Sequence, residues 1–308
     1  MLITRVVLAL RRFPQWIAAQ LMFAFLSFLK LFPADPAIRF ADRLVRWIGP
    51  KLKKRHKLML VNLRNAYPDK SDAELEQIAL GSWGNMGRLA AEYVFLDRLF
   101  DFDPEAVTPG RIEVSGTPIF LDLRDNPRPF IVFTAHTGNF ELLPVAASAF
   151  GLKVTVLFRP PNNPYIAEKV FSFRSARMGN LVPSHAGSSF AIARQLELGG
   201  GVGVLVDQKF RKGLHTLFFG NKVRTNPLLA KLVRQFGCEV YPARCIRLPD
   251  NRYRLEIEPK MELPRDEKGA LDVQGTAQML NDKVESWVRE NPEQWLWYHD
   301  RWNIKKKL

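Results

Sequence analysis

The chain has 308 residues, enough to bury one substantial core or two smaller ones. Its hydrophobic fraction of 47% and charged fraction of 25% are those of an ordinary globular protein and exclude a disordered chain. The formal charge of +14 is unevenly placed, because residues 1–60 carry twelve lysines and arginines against only Asp35 and Asp42.

From Phe13 to Leu29 no residue is charged and four are phenylalanine. That stretch is at the short end of a membrane span, about 17–25 residues. Arg11 and Arg12 flank it on one side, and the denser "KLKKRHK" at 51–57 follows on the other. Basic excess beside apolar sequence favours an anionic membrane surface; interleaved with polar residues it would favour nucleic acid, which is not an expected partner here. A signal peptide is disfavoured because "KLFPADPA" lacks a small-x-small cleavage site. Residues 1–33 are therefore expected to form a membrane anchor helix, spanning or interfacial, with a buried soluble helix as the alternative. The denser basic cluster puts the main domain on the cytoplasmic side.

The rest reads as one catalytic domain, 34–308. "DPAIRFADRLVRWIG" has the spacing of an amphipathic interfacial helix. Ser71-x-x-Glu74 is a capping box that opens one or two helices reaching about Leu99. Residues 34–108 are thus mostly helical, and the texture changes near Pro109. Short runs rich in Val, Ile and Phe follow: "RIEVSG", "RPFIVFTA", "LKVTVLF", "GVGVLVD", "CEVYPARCIRL" and "RYRLEIEP". Helical stretches at 139–150, 165–178, 188–198 and 227–236 separate several of them, and a last helix is expected over 273–290. This alternation predicts an α/β fold over 109–308, its central sheet covered on both faces. Cys238 and Cys245 belong to no CxxC pair or Cys/His cluster and read as buried free thiols, so no metal or disulfide chemistry is expected.

"FTAHTGNFELLP" joins a strand end to a helix start. Asn139 is a candidate N-cap, and His136 with Gly138 falls in a turn where backbone N–H groups are free. Glu141, in the first helical turn, is placed to fold back and hold one imidazole nitrogen while the other takes a proton from a hydroxyl. A capped helix with an incidental histidine fits the same residues. The chain has no GxSxG elbow, HExxH or P-loop, and no cysteine near a helix start with a nearby histidine. A histidine and carboxylate without a protein nucleophile point to direct transfer, in which the base activates a hydroxyl or water.

Arg159 in "LFRPPNNPY" stands at a strand's carboxyl end, where ligands bind in α/β sheets. Arg174 and Arg177 at i, i+3 share a helix face and suit a phosphate clamp, or are solvated surface arginines. Asp207, followed by Gln208, ends an apolar strand and needs a partner, expected to be Arg159 or Arg177. Thr225 reads as the cap of the following helix, and Phe218 and Phe219 as groove lining or core. "PEQWLWYHDRW" places aromatics beside basic residues, as at a membrane interface, and His299 there reads as structural.

These blocks in this order resemble the late acyltransferases of lipid A biosynthesis, the lauroyl/myristoyl type within the glycerolipid acyltransferase superfamily. "HTGNFE" matches the His-x4-Asp/Glu signature at His136 and Glu141; "FRPPNNP" matches the Arg-Pro-x-Asn-Asn block, including Asn162 and Asn163. "DQ" at Asp207 and Gln208 matches the strand-end acid, and "PEQWLWYHDRW" the aromatic ending. The resemblance covers the chain from about residue 10 onward. It implies a glycerolipid acyltransferase-like mixed sheet flanked by helices, an N-terminal membrane helix and an inner-membrane location. It also implies an acyl carrier protein as acyl donor, a phosphorylated glycolipid acceptor and no cofactor. In that scheme His136 deprotonates a hydroxyl on a 3-hydroxyacyl chain and Glu141 orients the imidazole. Arg159 supports negative charge, and Asn162, Asn163, Arg174, Arg177, Asp207, Gln208 and Thr225 contribute to substrate binding. A different glycolipid or a lysophospholipid as acceptor is the alternative, and a basic peripheral membrane-binding protein is the non-enzymatic one.

Overall fold

A computed structural model of the chain describes residues 2–103, 105, 110–184 and 187–304, side chains of 2–11, 97 and 173 excepted. Four helices come first: α1 (Leu2–Leu29), α2 (Ala34–Ile48), α3 (Lys53–Ala66) and α4 (Asp72–Leu99). The capping box forms as expected, Ser71 Oγ accepting from Glu74 N–H and Glu74 Oε2 from Ser71 N–H at 2.8 Å. It starts a single 28-residue helix, α4. Helices α2 and α4 pack so closely that a Cβ on Gly87 would stand 2.4 Å from the Ala41 carbonyl oxygen. Arg88 of α4 reaches Asp42 of α2 at 3.1 Å.

Phe13, Trp16, Leu21, Phe25 and Phe28 of α1 are exposed, while Ala19 and Leu29 are buried. Among the described residues no helix is long and apolar enough to cross a membrane. The side chain of Arg11 and the expected change of texture at Pro109 lie outside the described residues.

The α/β part runs β1 (Ile112–Ser115), α5 (Thr117–Asp125), β2 (Phe130–Thr134), α6 (Leu142–Ala149), β3 (Val154–Phe158) and α7 (Pro164–Ser175). Next come β4 (Asn180–Pro183), α8 (Ser188–Glu197), β5 (Gly201–Leu205), β6 (Leu214–Phe218), β7 (Asn221–Thr225) and α9 (Leu228–Phe236). β8 (Glu239–Leu248), β9 (Arg252–Ile257) and α10 (Val273–Glu290) complete it. Seven strands form one mixed sheet in the order β1-β9-β8-β2-β5-β3-β4; β8 and β9 pair antiparallel, and every other pairing is parallel. The buried, Val/Ile-rich runs of β2 and β5 occupy its middle, as strands covered on both faces must.

All six expected strands and the last helix stand where the pattern puts them. The helix expected from Tyr165 to Met178 stops at Ser175, leaving Arg177 in the turn beyond it. The β6–β7 hairpin was not expected, because its turn places Phe219 at φ 51° ahead of Gly220 instead of using an Asn-Gly pair. Cys238 and Cys245 are free and buried, and burial pushes their thiols up to about 11 and about 12.

Candidate active site

Residues Thr134 and Leu205 are register partners at the carboxyl ends of β2 and β5. Two residues further along each strand's exit stand His136 and Asp207, so the parallel register itself brings them together. Asp207 Oδ1 lies 2.7 Å from His136 Nδ1. Its Oδ2 accepts from the His136 backbone N–H at 2.9 Å and from Trp295 Nε1 at 2.8 Å. Burial at 3% exposure opposes the charge on Asp207, but the adjacent imidazole and these donors outweigh it and hold the carboxyl well below its usual range. An ionised carboxylate accepts only, so Nδ1 carries the proton and Nε2 presents its lone pair. Gln208 Nε2 donates toward that lone pair from 3.1 Å.

The carboxylate on the imidazole is therefore Asp207, and not Glu141 as the spacing suggested. Glu141 is 4% exposed and pairs with Arg174 of α7, whose Nε donates to Tyr93 Oη at 2.7 Å. A carboxylate buried this far needs a cation, and Arg174 supplies one. Asp207 in turn meets a histidine and an indole where an arginine was expected. Asn139 does not cap α6, whose N-cap position is Glu141 without a side-chain cap bond; its Nδ2 donates to Glu92 Oε2 at 2.9 Å.

Nor is the turn a nest of free donors. The N–H groups of His136, Thr137 and Gly138 go to Asp207, the Ala135 carbonyl and the Gln294 carbonyl. The C-terminal segment clamps this turn. Thr137 bridges Trp295, Ser82 Oγ donates to the Trp295 carbonyl at 2.7 Å, and Gln294 exchanges bonds with the Arg247 backbone. Gly138 sits at φ +57°, and a Cβ there would come within 2.1 Å of the Cys245 carbonyl oxygen. Trp295 and Trp297 are consequently fully buried, which corrects their reading as membrane-interface aromatics.

An apolar cavity of about 360 Å³ opens beside the pair, over the sheet and under α5 and α6. Phe140 and Glu141 line its near end, and the Phe140 ring contacts the His136 ring edge-on at 4.9 Å. Its floor is short side chains, among them Gly203, Val132 and Ala243. Phe218 and Phe219 line no part of it; they are buried against Trp295 and Trp297 in the main core.

Of the other expected residues, Arg159 is exposed just past β3 and faces a second cleft with Lys209 and His299. His299 Nε2 accepts from the Lys209 N–H at 3.3 Å, and burial lowers its pKa to about 4, as a structural neutral histidine requires. Asn163 caps α7 and ties it to α1 by donating to the Gln15 carbonyl at 2.7 Å, so its polar atoms serve the fold; Asn162 is exposed. Thr225 neither caps α9 nor faces a groove. It is buried, its Oγ1 bonded to Thr216, Asn281 and Arg301. Sequence reasoning missed Tyr93, Gln294 and Trp295, whose partners lie far away in the chain.

Comparison with known proteins places the chain in a family. The sequence profile of the family described as bacterial lipid A biosynthesis acyltransferase matches residues 6–304. A lipid A biosynthesis acyltransferase of Haemophilus influenzae is 22% identical, over 92% of this chain and 87% of its own. A lipid A biosynthesis myristoyltransferase of Escherichia coli is 24% identical, over 93% and 87%. A lipid A biosynthesis palmitoleoyltransferase of the same organism is 26% identical, over 94% and 89%.

Proposed function

Because this chain belongs to the bacterial lipid A biosynthesis acyltransferase family, we propose that it moves a fatty acyl chain from acyl carrier protein to a hydroxyl on a 3-hydroxyacyl chain of a lipid A precursor. The observation that carries this reading is an Asp207-held imidazole in ring contact with Phe140, which lines the near end of an apolar cavity. The acyl chain lies in the cavity and its thioester carbonyl stands at the mouth, beside His136.

The acceptor hydroxyl displaces the Gln208 amide from His136 Nε2. Nε2 takes the hydroxyl proton as the oxygen bonds to the thioester carbon, and Asp207 stabilises the imidazolium. The carbon–sulfur bond then breaks, and the imidazolium returns the proton to the leaving thiolate. The backbone donors of the turn are already taken, so the displaced Gln208 amide supports the oxyanion. Glu141, paired with Arg174, walls the cavity mouth.

The enzyme works at the cytoplasmic surface of the inner membrane, lying in the interface. Exposed apolar side chains of α1 support this, as do Phe40, Trp47 and Leu52 beside the basic cluster at 51–57. The same basic surface suits an acidic carrier protein. Mass spectrometry of lipid A from a strain lacking the gene tests the reading: one acyl chain should be missing, and an unchanged profile with no redundant enzyme present would refute it.

A further inference from the structure

The second cleft, of about 850 Å³, is not part of the acyl cavity. It lies between the β6–β7 hairpin, Arg55 of α3 and the segment Tyr298–Asn303. Seven lysines and arginines line it against one carboxylate, Asp300. Among the described residues Lys209 pairs with Asp300 at 3.0 Å, while Arg55, Arg159, Arg211, Lys222, Arg224 and Arg301 make no ion pair. Such a concentration of unmatched charge repels itself, and a concave wall focuses its field on whatever anion enters.

Arg301 makes the case sharper. Its side chain is 1% exposed, and it donates to the Arg224 carbonyl, Thr225 Oγ1 and Asn281 Oδ1, all neutral acceptors. Its Nε has no partner. Burial lowers its pKa to about 10, so it stays protonated at neutral pH. A buried guanidinium with no carboxylate in contact is costly; the charge of Asp207 offsets part of that cost from a distance, and an anion in the adjoining cleft offsets more.

The cleft lies near the catalytic pair, whose charges act on His299 in its wall. Lys209 follows Gln208 directly, and its N–H bonds His299 on the cleft wall. On the other side the rim reaches the apolar surface. Arg55 stands three residues after exposed Leu52, and Arg159 precedes Asn163, which is bonded to α1. A site between a membrane-facing surface and the reacting histidine is where the polar end of a lipid comes to rest.

We infer that this cleft binds a phosphoryl group on the sugar end of the glycolipid acceptor, with Arg301, Arg211, Lys222 and Arg159 as its cations. This rests on the acyltransferase reading above. A carrier protein is the less suitable occupant, since its docking needs a broad exposed surface, not a concave site backed by a buried arginine.

The test is the R211E/K222E double variant, whose replaced side chains are exposed and carry no structural bond. With a phosphorylated precursor its KM should rise about tenfold or more, while kcat and the KM for acyl carrier protein change by less than about twofold. With dephosphorylated precursor, wild type and variant should behave alike. K153E, an exposed reversal at the opposite end of β3, should change nothing. An unchanged acceptor KM overturns the inference, and a rise confined to the carrier protein's KM assigns the cleft to the carrier instead. Cosedimentation with phosphatidylcholine vesicles reads the cleft without turnover. Wild type should bind vesicles holding phosphorylated precursor about tenfold more tightly than dephosphorylated ones, the variant should not, and equal binding by wild type overturns the inference. Preferential binding by a wild type that transfers no acyl chain would refute the acyltransferase reading alone.

Discussion

His136 Nδ1 and Asp207 Oδ1 meet at 2.7 Å across the exits of two neighbouring parallel strands. The imidazole's tautomer is thus set by sheet register, and the carboxylate five residues along the chain is engaged elsewhere. D207N should keep the fold, since an amide oxygen can still accept from Trp295. It should lower kcat by about 10²–10⁴. Circular dichroism and steady-state rates check both halves.

E141Q removes charge from a group bonded to Arg174 and Tyr93 but leaves the Asp207–imidazole contact intact. Its kcat loss should be smaller than that of D207N. R174M, by contrast, strands a buried carboxylate and should cost about 3–5 kcal/mol of stability. Adding E141Q to R174M should recover part of that loss, measured as shifts in denaturant midpoint.

His299 ties acid sensitivity to a single side chain. Its pKa falls from 6.5 to about 4 on folding, chiefly by desolvation. Below pH 6.5 the unfolded chain takes up a proton that the folded one refuses. Stability from this residue is therefore complete above pH 6.5, falls through the window down to about 4 and is constant below it. The full change is on the order of 3 kcal/mol. H299Q should flatten the wild-type loss of stability across that window, as chemical denaturation at a series of pH values would show.

Gly203 lies on the cavity floor, where an added Cβ would stand 3.3 Å from Val156 Cγ2. G203L projects further, into the cavity proposed for the acyl chain. The variant should keep activity with short-chain donors and lose about tenfold or more with long ones, since each excluded methylene is worth about 1–3 kcal/mol. Competition between donors of different length reads the shift.

The alternation of β and helical runs made the sheet legible, because buried parallel strands announce themselves as short Val/Ile-rich runs. Ser71 and Glu74 were legible because a capping box is local. The partner of His136 was not. Asp207 is 71 positions away, and only the Thr134–Leu205 register makes them neighbours. Glu141 lay closer in sequence and so drew the assignment. The tryptophans of "PEQWLWYHDRW" misled for a similar reason: composition suggested a membrane interface, while Trp295 is held inside by Asp207 and the His136 turn. A short edge strand such as Asn180–Pro183 gives too few residues for any periodicity.

The most direct measurement is single-turnover transfer by the purified protein from acyl carrier protein to a lipid A precursor, followed by mass spectrometry for wild type and H136A. The account predicts a wild-type product heavier by one esterified acyl chain, and a rate at least about a hundredfold lower in a folded H136A. Equal rates in the two proteins would contradict it.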